Sequence, residues 1–126
     1  MKNLILALSL VPALAFATAP DFSAISRALN SGDVATLSEY FDSNIEVTVL
    51  DTDGVYSKQQ AAQILKNFFA DHQPQSYKLV HQGTNNRNLH YCIGDLVANG
   101  QTFRVNYFLK EVNGKFVIQE FGIEKE

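Results

Sequence analysis

From residue 75 onward, apolar and polar positions alternate in four runs, at about 75–83, 87–98, 101–111 and 115–123. That period of two marks half-buried strands. Asn99-Gly100 and Asn113-Gly114 separate the last three runs. Asn-Gly is the preferred pair for a two-residue type I′ turn, in which both central residues take positive φ. Upstream the spacing is helical. Phe22, Ile25 and Leu29 share one stripe that ends at Ser31-Gly32, and Asp33 caps a second helix carrying Val34, Leu37 and Phe41. Residues 44–50 are rich in β-branched side chains and predict a strand. Ser57-Lys58-Gln59-Gln60 is a capping box that opens the longest helix. Ala61, Leu65 and Phe68 form its inner stripe, with Ile64 and Phe69 beside it, and it ends near Asp71-His72 ahead of Pro74. Helices first and a meander afterwards predict the α+β class, with the helices packed on one face of a curved antiparallel sheet.

The turns also predict the register. A two-residue turn at 99–100 sets Asp95 opposite Arg104 and Cys92 opposite Tyr107. The opposite-charge pair is what a correct alignment should bring together. A turn at 113–114 sets Leu109 opposite Ile118 and Tyr107 opposite Glu120, and a turn near Asn85-Asn86 sets His81 opposite His90. One face then carries Tyr77, His81, His90, Cys92, Phe103, Tyr107 and Glu120 among aliphatic residues, and faces the helices. The other face carries an aromatic stripe of Tyr91, Phe108 and Phe121, which reads as a homodimer surface.

Residues 1–17 read as an export signal: Lys2 begins it, 4–14 is apolar, and Ala15-Phe16-Ala17 is a small-x-small cleavage site. The apolar run is too short to span a bilayer, so no membrane anchor is expected. The expected location is the periplasm or the medium. Residues 18–126 form one domain. Lys2 lies in the signal, so of ten basic residues nine remain against 13 acidic ones, a net charge of −4. With no basic cluster, nucleic acid is not an expected partner. Cys92 is the single cysteine and cannot form an internal disulfide, so it is expected to be buried. Asp51-Thr52-Asp53-Gly54 begins like a calcium loop but lacks its closing Glu, and reads as a plain turn.

The helix order, the break at Ser31-Gly32-Asp33 and the closing meander resemble the nuclear-transport-factor-2-like superfamily, the fold of ketosteroid isomerase and scytalone dehydratase. His81-Gln82-Gly83, Tyr91-Cys92-Ile93-Gly94, Phe103-Arg104-Val105 and residues 118–124 resemble, more narrowly, a short exported family of unknown function typical of Bacteroidetes-type bacteria. The resemblance implies an apolar cone between the curved sheet and the long helix. The expected function is a binding module of the cell envelope that holds a small apolar ligand or a peptide in that cone, without a cofactor. Its walls would be Leu65, Phe68, Tyr77, His81, His90, Cys92, Phe103, Tyr107 and Glu120. The alternative is an isomerase or dehydratase with Glu120 as general base, Tyr107 as oxyanion donor and His81 or His90 as proton shuttle. No Asp stands on the predicted inner face, so none of the isomerase residues carries over. His81, His90, Cys92 and Glu120 could converge on a metal, but a dedicated zinc site has tighter ligand spacing and supporting carboxylates, so none is expected.

Overall fold

The computed structural model describes residues 19–126, so the expected export signal at 1–17 lies outside the described residues. Asp21 accepts from the Ala24 N–H at 2.9 Å and starts α1 (Phe22–Ser31). Gly32 ends it at φ 69, and a side chain there would meet Pro74 Cγ at 2.9 Å. Asp33 caps α2 (Val34–Glu39) by accepting from the Thr36 N–H at 3.1 Å. The chain then enters β1 (Phe41–Val49) directly, so Phe41 belongs to a strand rather than to the second helix, with its ring buried. Leu50, at φ 54, turns it into β2 (Thr52–Ser57), where Thr48 donates to the Asp53 carboxylate at 3.1 Å. The Ser57–Gln60 capping box forms and opens α3 (Lys58–Asp71). β3 (Pro74–Thr84), β4 (His90–Ala98), β5 (Gln101–Val112) and β6 (Lys115–Lys125) complete the chain.

The strands form one curved, unclosed sheet in the order β2-β1-β6-β5-β4-β3. Its one parallel pair is β1 with β6; the other neighbours are antiparallel. Both Asn-Gly turns form with positive φ at each residue, and Cys92 faces Tyr107 as expected. Asp95 faces Arg104, with Nε 3.5 Å from Oδ1, while Arg104 also reaches Glu126 at 2.6 Å.

Two bulges correct the expected register. In the last hairpin Leu109 faces Ile118, but the next pair is Phe108 with Glu120, so Gln119 is an extra residue on β6. Beyond it Tyr107 faces Phe121, not Glu120, and Val105 faces Ile123. The flip buries Phe121 and Ile123 and turns Glu120 and Gly122 outward. Burying a phenyl ring and a sec-butyl group in place of a carboxylate and a glycine is the physical gain. On β3, Leu79 faces Gly94 but His81 faces Ile93, so Val80 is extra. His81 therefore moves to the outer face, and because β3 and β4 are joined by the five-residue loop 85–89 rather than by the expected turn at Asn85-Asn86, His90 faces Thr84 instead of His81. Each bulge bends its strand, which suits a sheet that curls around α1 and α3.

Candidate ligand-binding site

The inner face brings Tyr77, Cys92 and Tyr107 together at the centre of the cone. Tyr77 Oη lies 3.5 Å from Cys92 Sγ. Tyr107 stacks on Phe121 at 6.3 Å and 13° and leans on Phe22 of α1 at 6.3 Å. Cys92 and Tyr107 are fully buried, and burial pushes up the pKa of both phenols and of the thiol, so all three groups stay neutral. Among the described residues, the closed-off Tyr107 hydroxyl has no partner within hydrogen-bond geometry. Toward α3, Phe68 meets Phe103 edge-on at 5.3 Å and stacks on His72 at 4.5 Å, while Leu65 is fully buried. Of the residues expected to wall an open cone, Leu65, Phe68, Cys92, Phe103 and Tyr107 thus form the core itself, with Tyr77 packed against it.

Three expected site residues lie elsewhere. Glu120 is exposed on the outer face, opposite Phe108 and beside Glu46 of β1. Partial burial, and then the Glu46 charge, raise its pKa. His81 is also outside, with Nε2 3.0 Å from the Tyr91 hydroxyl. His90 stays on the inner side but at the end of the sheet. Glu120 and Tyr107 therefore face opposite sides of one sheet and cannot act on one substrate. His81, His90, Cys92 and Glu120 are likewise spread over two faces. The outer aromatic stripe shrinks to Tyr91 and Phe108, 6.4 Å apart, because Phe121 is in the core.

Because Glu120 binds its proton more tightly when folded, its ionisation lowers stability as pH rises out of the carboxylate range. Glu120→Gln is expected to raise stability at pH 7 by less than about 1 kcal/mol. The gain should vanish below about pH 4, where the carboxyl is protonated in both states. Urea unfolding at both pH values reads this; a neutral-pH loss would contradict the like-charge pair.

The open space is at the mouth of the inner face, where the β3–β4 loop and the β5–β6 turn stand together. A depression of about 620 Å³ is lined there by Thr84, Arg87, His90, Glu111 and Phe116, among others, and by no helix residue. Thr84 Oγ1 lies 3.2 Å from His90 Nδ1, and the His90 ring stands edge-on to Phe116 at 5.1 Å and 89°. The Asn85 side chain shapes the loop by accepting from the N–H groups of Arg87 and Leu89 at 2.9 and 3.1 Å. Across Phe116, a second depression of about 400 Å³ is lined by Asp21, Glu39, Tyr40 and Lys115. The Asn-Gly turn register places Phe116 opposite Glu111, so that part of the mouth was readable. Thr84 beside His90 depends on the loop 85–89, which the Asn85 N–H closes on the Leu89 carbonyl at 3.0 Å, rather than on a two-residue turn at Asn85-Asn86.

The family model of DUF4783, a domain of unknown function, matches residues 22–124. A DUF4783 family protein from Bacteroides uniformis is 25% identical, with a TM-score of 0.79 over 85% of this chain and 98% of that one. One from Bacteroides ovatus is 26% identical, with a TM-score of 0.78 over 86% and 96%. An NTF2-like protein of unknown function from Cytophaga hutchinsonii shares the fold at 12% identity and a TM-score of 0.59, over 82% and 85%. No curated protein matches the sequence. The fold is nuclear-transport-factor-2-like, as the helix order and meander led us to expect.

Proposed function

We propose that this chain, which belongs to the DUF4783 family, is a binding module of the cell envelope that holds a small molecule or peptide end at the mouth of its inner face. The carrying observation is the contrast between a centre packed with Phe103, Tyr107 and Phe121 and a mouth of about 620 Å³ ringed by polar groups around Phe116. Polar side chains converging on one aromatic ring in a concave surface suit a small polar ligand with a short apolar part. The reading needs no general base, and the Glu120–Tyr107 pair that the isomerase alternative required is split across the sheet. Export rests on the signal pattern of residues 1–17. Tyr91 and Phe108, half-buried on the uncovered outer face, support a homodimer seam there.

Native mass spectrometry on protein recovered from a bacterial periplasm tests this reading. The expected spectrum shows a chain starting at Thr18 and a reproducible extra mass that Phe116→Ala removes. A bare chain, or an extra mass indifferent to Phe116→Ala, would contradict binding at the mouth.

A further inference from the structure

We infer that the ligand held at the mouth is an anion, carrying a carboxylate-like group on a flat or short apolar body; this rests on the mouth being the binding site. Arg87 lines the larger depression from a loop whose backbone Asn85 braces, and its side chain is exposed to a ligand there. Among the described residues both ion pairs belong to Arg104, so Arg87 and Lys110, which also lines this depression, have no carboxylate partner. A guanidinium left unpaired beside a concave surface matches a planar carboxylate through two parallel hydrogen bonds.

His90 adds a second donor. Thr84 Oγ1 engages Nδ1 at 3.2 Å, which leaves Nε2 as the ring nitrogen for a ligand; in the tautomer that accepts from Thr84 at Nδ1, Nε2 carries the proton and donates. Phe116, perpendicular to that ring, supplies the apolar floor for the ligand body. The acids are distributed to match. Glu111 is the one carboxylate lining the larger depression, whereas Asp21 and Glu39 line the smaller one across Phe116. The anionic end therefore sits on the Arg87–His90 side, with the body directed over Phe116.

Three flat probes of one shape and different charge separate the outcomes: benzoate, benzamide and benzylammonium, each titrated against nitrogen-15-labelled protein. Benzoate should shift the backbone amides of His90, Gly114 and Phe116, binding about tenfold or more tighter than benzamide. Benzylammonium should leave the His90 amide unmoved. Arg87→Gln, an exposed loop substitution that leaves the rest of the spectrum in place, should bring benzoate and benzamide to equal affinity. Benzamide binding as tightly as benzoate at these amides would overturn the anion inference and leave the mouth standing as the site. If none of the three probes moves these amides, the mouth reading falls and the inference with it. A benzoate preference that survives Arg87→Gln would overturn the role given to Arg87.

Discussion

Phe121→Ala is expected to cost about 3–5 kcal/mol in urea unfolding, the usual loss for a fully buried phenyl ring. Phe108→Ala should cost less than about 2 kcal/mol, because that ring is only half-buried on the outer face. An unbroken register from Asn113-Gly114 predicts both rings on the same outer stripe and similar costs. The bulge at Gln119 makes them unequal, since Phe121 crosses to the inner face and stacks on Tyr107. Stabilities of small domains run to about 5–15 kcal/mol, so the first substitution would remove a large part of the whole. Equal losses would mean that the bulge is absent in solution.

Gly94→Ala carries the second large effect. A methyl group there would run into Tyr77 Oη and Cζ, so the ring that lies across Gly94 must leave its seat. Overpacking of this kind costs about 1–3 kcal/mol, and the upper end is expected because Tyr77 also reaches Cys92. In a Tyr77→Ala background the same change should cost little, giving a strong coupling in a double-mutant cycle. Gly122→Ala is the contrast. Its methyl would meet Asn106 Oδ1, but that is the tip of a side chain on the outer face, which can rotate away. Additive losses for Gly94→Ala and Tyr77→Ala would contradict the seat.

What the sequence made legible was what local chemistry decides. Asp33 and Ser57 cap their helices, and Asn99-Gly100 and Asn113-Gly114 take the backbone that only such residues adopt readily. The register near each turn followed, down to Asp95 against Arg104. The register far from the turns did not, because a bulge is a tertiary decision. Gln119 and Val80 have no local mark. Gln119 is extra because the alternative places Glu120 in the core and leaves Phe121 in water, and Val80 is extra because the alternative turns His81 inward. The parallel pairing of β1 with β6 was hidden for the same reason, since it joins segments at opposite ends of the domain. The candidate site shifted with the register. Tyr77, Cys92 and Tyr107 were brought together as expected, yet as packing, while Thr84, Arg87 and Phe116 took over the open surface.

A filled cone leaves the mouth as the open surface, and the lone thiol reports directly on whether the cone is filled. Cys92 sits under α1 on the inner face, fully buried, with its pKa pushed up by that burial. The rate of its reaction with 5,5′-dithiobis(2-nitrobenzoate) should be compared in native buffer and in denaturant. A filled cone predicts labelling only through opening of the fold, about a thousandfold slower than in the unfolded chain. Native labelling at a rate comparable with that of the unfolded chain would show the cone open to small molecules and contradict the account.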